Sequence, residues 1–217
     1  MDDTTVPSFR GDSSVPGRGW ADRMDATRGA LARATVHLFL TRGVAATTAD
    51  DIAAAAGVSR RTFFRYFASK EDAFTEPLLH QADEFAPLLR DRPRHEPLVA
   101  GLRAVVERIA TTYASMDQVL PLYRAVREDP GLVPSIALFN ARLREVIAAW
   151  AADRLGSEPG DLEPQLFAET AVAVRETVLR LWANAPAGTD VGALTDAAFD
   201  HWSSGFAALG GSHTGNC

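Results

Sequence analysis

An all-α chain of about nine helices is what this sequence predicts, and three observations predict it. From Asp25 onward the apolar residues recur at spacings of three and four, and no alternating strand pattern interrupts them. Proline- and glycine-containing breaks fall between these periodic runs. Within Thr47 to Phe74, reading TTADDIAAAAGVSRRTFFRYFASKEDAF, three helix starts succeed one another at short intervals.

The elements are taken in chain order. Residues 1–22 hold Pro7, Gly11, Pro16, Gly17 and Gly19 among polar side chains, a composition that reads as a disordered arm. Leu31, Ala34, Leu38 and Phe39 mark a first helix that ends at Gly43. Thr48 caps a second, with Asp50 and Asp51 in its first turn where the helix dipole favours acids. Ile52 and the alanines at 53 to 56 make it small and close-packing, and Gly57 ends it in a left-handed position. Ser59 caps a third helix, carrying Arg60, Arg61, Thr62, Arg65 and Tyr66 with Phe63, Phe64 and Phe67 among them. Ser69 caps a fourth, which runs toward Arg90 with a kink expected at Pro77. Leu98, Leu102, Val106, Ile109 and Tyr113 mark the fifth. A short sixth spans about Asp117 to Glu128. Ile136, Asn140, Leu143, Ile147 and Trp150 mark the seventh, ending near Gly156. Phe167, Ala171, Val174, Val178 and Leu181 mark the eighth. Leu194, Ala198, Trp202, Phe206 and Leu209 mark the ninth, before a glycine-rich tail.

The third helix has the make-up of one that enters a major groove. Phe63 and Phe67 are four apart and share a face that can plug into the domain; all three phenylalanines are expected in the core. The arginines then project elsewhere. An arginine fork suits the O6 and N7 of guanine, or two phosphate oxygens. This places a helix-turn-helix domain over residues 23–70, a helical domain over 71–210 and a flexible tail over 211–217.

The stretch from about Arg28 to Phe74 closely resembles the DNA-binding domain of tetracycline-repressor-type (TetR) regulators. Ala30, Leu31, Ala34, Leu38, Phe39 and Gly43 match that family's first helix. TTADDIAAAAGVS and TFFRYFASKEDAF match its next two helices and the start of the fourth. The resemblance implies DNA contacts from Thr48, Ser59, Arg60, Arg61, Thr62, Arg65, Tyr66 and Lys70. Of these, Arg60, Arg61 and Thr62 match groove-facing positions, and Tyr66 and Lys70 match positions that touch the phosphate backbone. The Phe64 position is often a tyrosine in the family, so its hydroxyl contact is missing here. Residues 121 to 184 resemble the C-terminal domain of regulators that bind acyl-coenzyme A, the mycofactocin-associated subgroup among them.

The family resemblance further implies a homodimer. The leading expectation is a repressor released from a palindromic duplex operator by a small-molecule effector; the alternative is a constitutive DNA-binding regulator without one. The helix around residues 167–182 is apolar on two faces, one of which a partner can cover. The dimer face is read as Phe167, Ala171, Val174, Val178, Leu194, Trp202 and Phe206. An apolar ligand is expected against Leu102, Val106, Ile109, Tyr113, Tyr123, Phe139 and Leu143, with Arg175 included. Arg175 sits in an apolar stripe, where an unpaired cation is costly. Three readings stay open for it: a dimer salt bridge, an internal pair with Glu176 or Glu145, or a ligand's anion.

Charge fits a local rather than a general DNA binder. Residues 1–75 hold ten Lys or Arg against nine Asp or Glu, whereas residues 76–217 hold twelve against nineteen. The acidity thus lies away from the arginine-bearing helix, and binding is expected to depend on salt and on site. The one cysteine, Cys217, excludes a disulfide framework and fits a reducing cytoplasm. No apolar run reaches membrane-span length. No metal-ligand spacing, phosphate loop or catalytic triad is present, so no cofactor and no enzymatic activity are expected.

Overall fold

The computed structural model describes residues 18–112, 124, 129–186 and 188–205. Among them are eight α-helices and no strand: α1 (Arg18–Arg42), α2 (Ala49–Ala55), α3 (Arg60–Tyr66), α4 (Lys70–Arg90), α5 (Leu98–Thr112), α6 (Val133–Leu155), α7 (Leu162–Ala183) and α8 (Val191–Ser204). A 3-10 turn at Pro130–Leu132 leads into α6. The short helix expected over 117–128 falls almost entirely outside the described residues, as do the tail and the arm up to residue 17. Residues 18–22, read as the end of that arm, belong instead to α1. The breakers Pro16 and Gly17 lie just before this point.

The three expected caps are present. Thr48 accepts from Asp51 N while the Asp51 carboxylate accepts from Thr48 N, a complete capping box. These bonds to Thr48, with Arg42 nearby, hold the Asp51 carboxyl below its ordinary pKa. Ser59 accepts from Thr62 N and Ser69 from Asp72 N. Gly57, just past α2, has φ of 69°, the left-handed value that lets the chain turn sharply into α3.

Packing divides into three cores. Leu31, Leu38, Ile52, Ala53, Phe63, Phe67 and Ala73 join α1 through α4 at the N-terminal end. A larger core joins α4, α5, α6, α7 and α8 around Phe85, Leu89, Leu102, Phe139, Leu143, Ile147, Trp150 and Phe199. Between them, Phe39, Val44, Phe74 and Leu132 form a small bridging core, with the Phe39 and Phe74 rings 5.5 Å apart. The hydroxyls of Thr75 and Ser135 meet beside it at 2.7 Å. α4 contributes to all three, so one helix belongs to both halves. It continues through Pro77 and Pro87, which lack the N–H groups that Ala73 and Asp83 carbonyls would otherwise receive. Arg103 ties α5 to α8 through Asp196 at 2.6 Å and Asp200 at 2.8 Å, while also bonding Glu107.

Lys70 performs a structural task at the head of α4. Its ammonium donates to the carbonyls of Val44 at 2.6 Å and Thr47 at 3.0 Å, clamping the α1–α2 connection to α4. Lys70→Met should therefore lower stability by about 1 to 3 kcal/mol, the cost of leaving such carbonyls without their charged donor. Thermal or urea unfolding checks this. Unaltered stability would show that the clamp contributes nothing to the fold.

Candidate nucleic-acid interface

α3 is seven residues long and could not stay helical alone. It is held by Phe63, fully buried, and by Phe67 just past its end. Their rings lie 5.9 Å apart, and the Arg28 guanidinium covers Phe67 at 5.5 Å. Arg28 is itself fixed by an ion pair with Glu76 on α4. With one side anchored, the other carries Arg60, Arg61, Phe64 and Arg65, all exposed.

Phe64 departs from expectation. It is 47% exposed, packed edge-on against Phe63 at 5.2 Å rather than buried with it. One residue along a helix is a rotation of about 100°, so neighbouring phenylalanines cannot share the buried face. Its exposed position matches that of a side chain available to DNA, without a hydroxyl to offer.

Most of the expected contact residues lie at or near the starts of α2 and α3, several of them in short-range pairs. Thr48 and Ser59 sit at the N-termini of α2 and α3, both exposed. The Ser59 and Thr62 hydroxyls are 2.9 Å apart. Arg60 ion-pairs with Asp50 of α2 at 2.6 Å. Arg65 lies over the Tyr66 ring at 5.1 Å and reaches its hydroxyl at 3.4 Å. Lys70 is the exception. Two of its ammonium bonds are committed to backbone carbonyls, so its charge reaches a phosphate only with what remains. Sequence reasoning missed Asp50, which it read solely as a helix-dipole acid.

The expected ligand residues are divided. Leu102, Phe139 and Leu143 are each 2% exposed and belong to the main core with Phe85, Leu89 and Trp150. Val106 and Ile109 are half-buried beside that core. Tyr113 and Tyr123 lie outside the described residues. Two grooves of about 510 and 550 Å³ lie elsewhere, one between α1 and α4 and one between the ends of α4 and α6. Arg175 faces α6, its guanidinium 4.6 Å from the Phe139 ring centre and its Nη1 3.3 Å from Asn140 Oδ1. Asn140 in turn donates to Glu176. Asn140 thus links Arg175 to Glu176.

Part of the expected dimer face is covered within the subunit itself. Ala171 and Val178 are 7% and 6% exposed, closed off by the chain's own packing. Phe167 stacks on Trp202 at 5.0 Å and on Trp150 at 6.2 Å, so both expected aromatics serve their own subunit first. Val174 and Leu194 are half-buried, and Phe206 lies outside the described residues. The outward side of α7 carries Leu162, Leu166 and Leu181, 74%, 61% and 49% exposed. Ala173 and Thr177 are exposed between them, and α8 exposes Ala193 and Ala197.

Among the described residues no helix is long and apolar enough to cross a membrane, and no group of acidic, histidine or cysteine side chains could hold a metal ion.

Comparison with known proteins agrees with this layout. Residues 31–76 match the family model described as bacterial regulatory proteins, tetR family, and residues 96–207 match that of the MftR C-terminal domain. The chain is 33% identical to the HTH-type transcriptional regulator TcmR of Streptomyces glaucescens over 201 residues, 89% of this chain and 88% of that one. It is 30% identical over 149 residues to a protein of Mycobacterium tuberculosis named as a mycofactocin biosynthesis transcriptional regulator, MftR, covering 68% and 75% of the two chains. The fold is similar to that of Bacillus subtilis FadR in complex with stearoyl-CoA, with a TM-score of 0.62 at 16% identity over 82% of this chain and 98% of that one. From its helix-turn-helix head to its helical C-terminal domain, the chain belongs to the tetR family of bacterial transcriptional regulators, with a C-terminal domain of the MftR type.

Proposed function

We propose that this regulator binds a palindromic duplex operator as a homodimer and represses transcription until a small, largely apolar effector of the acyl-CoA kind releases it. The observation that carries the DNA half is the exposed row Arg60, Arg61 and Arg65 on a helix whose opposite side is locked by Phe63. The groove is read by Arg60, Arg61, Thr62 and Arg65, with Thr48, Ser59 and Tyr66 on the flanking backbone. Support for the effector class comes from the stearoyl-CoA complex of a protein with the same fold. The half-buried Val106 and Ile109, with Arg175 beyond Phe139, are the apolar and cationic groups proposed to meet such a ligand. A constitutive regulator without an effector is the second reading, favoured by the tight closure of Leu102, Phe139 and Leu143.

The dimer forms through the outward side of α7, with Leu162, Leu166, Ala173, Thr177 and Leu181 meeting their counterparts, and with α8 beside them. A stripe of leucines separated by small residues lets two helices approach closely, and burying it removes apolar surface from water.

This reading has three testable outcomes. Arg61→Ala and Arg65→Ala should each weaken binding to a selected operator while leaving the melting temperature in place. A lost bidentate base contact costs about 1 to 3 kcal/mol, and fluorescence anisotropy at fixed salt reads it. Equal affinity in both variants would remove α3 from the groove.

Leu166→Glu should convert the dimer to a folded monomer by light scattering. Ala171→Glu should instead unfold the subunit, because it forces a carboxylate into the core. Dimers that persist in Leu166→Glu would place the interface elsewhere.

Long-chain acyl-CoA should raise the melting temperature and dissociate the operator complex. A ligand at a hundred times its dissociation constant stabilises by about 2.7 kcal/mol. If neither changes across an acyl-chain series, while DNA binding is intact, the constitutive reading holds.

A further inference from the structure

We propose that Asp50 is a specificity-determining residue: its carboxylate buttresses Arg60 so that the arginine reads a guanine rather than gripping a phosphate. This rests on the placement of α3 in the major groove.

The arrangement joins two helices. Asp50 stands in the first turn of α2 and Arg60 at the first position of α3. Arg60 Nη1 donates to Asp50 Oδ2 at 2.6 Å. The guanidinium also lies over the Phe64 ring, 5.3 Å from its centre. The side chain is thus held at two points, by a carboxylate and by an aromatic face, although 65% of it is exposed. The neighbouring Asp51 is not available for this purpose, being turned to Thr48 and Arg42.

The pairing has two physical consequences. With Nη1 on Asp50, the Nε–Nη2 edge of the guanidinium is left as a complete two-donor fork, the shape that matches guanine O6 and N7. Because the arginine is already ordered, less rotamer entropy is lost when the contact forms. At the same time the pair is electrically neutral. An acid beside the arginine repels phosphate oxygens, so the pair contributes little to sequence-independent binding. An isolated arginine at this position would do the opposite, gaining phosphate affinity and losing selectivity. Asp50 therefore exchanges non-specific affinity for base discrimination, and it acts as a positioning residue through Arg60.

The test is binding-site selection from a random duplex library with the full-length chain, run in parallel for wild type, Asp50→Asn, Asp50→Ala, Arg60→Ala, Arg61→Ala and Arg65→Ala. Circular dichroism confirms folding of each. The wild-type motif should contain a guanine in each half-site, preferred by about tenfold or more, that Arg60→Ala erases. Both Asp50 variants should reduce the preference at that same position below about threefold while leaving the remaining positions intact. Their affinity for unrelated duplex should rise at low salt. If Asp50→Asn changes affinity for all sequences alike and leaves the motif intact, the acid acts by charge alone and the proposal is overturned. If Arg61→Ala and Arg65→Ala alter the motif but Arg60→Ala does not, the buttressed pair fails while the groove placement stands. A motif that no α3 variant alters overturns both.

Discussion

Everything the N-terminal domain does depends on Phe63. It is fully buried at the meeting point of α1, α2 and α4, on a recognition helix of only seven residues. A helix that short gains too few internal hydrogen bonds to form by itself, so its conformation is imposed by packing. Phe63 and Phe67 fix its rotation about its own axis, and that rotation decides which side chains face outward. The Ser59 cap sets where the helix begins. Arg60, at its first position, is thereby brought against Asp50 of the preceding helix. The surface offered to DNA is a consequence of the core beneath it.

The same logic links the two halves of the molecule. α4 lends Ala73 to the N-terminal core, Phe74 to the bridging core and Phe85 and Leu89 to the main core. Leu132, at the entrance to α6, is fully buried against Phe39 of α1 and Phe74 of α4. Among the described residues, the N-terminal domain is therefore connected to the larger domain both by a continuous helix and by a packed turn. Motion of α6 relative to α4 would be felt at α1 through this contact, because close-packed cores transmit displacement rather than absorb it.

Much of this was legible in the sequence, for identifiable reasons. The caps at Thr48, Ser59 and Ser69, the left-handed Gly57 and the burial of Phe63 and Phe67 all depend on near neighbours in the chain. What was not legible depends on distant partners. Lys70 binds the carbonyls of Val44 and Thr47, more than twenty residues away, and nothing local to SKED announces it. Which side of α7 its own subunit covers was not legible, because α7 is apolar over a wide arc and periodicity alone does not say which part faces inward. Ala171 and Val178 point inward, leaving Leu162, Leu166 and Leu181 outside, interleaved with small residues that weaken the apolar signal. Leu102, Phe139 and Leu143 have the composition of a pocket lining, but that is also the composition of a packed core.

The most direct measurement of the central claim is methylation interference on a selected operator. Dimethyl sulfate modifies guanine N7 in the major groove and adenine N3 in the minor groove. If α3 reads the major groove through Arg60, methylation of a guanine in each of two symmetric half-sites will block binding, and adenine methylation there will not. Interference confined to adenine N3, or absent from every guanine, would contradict the account.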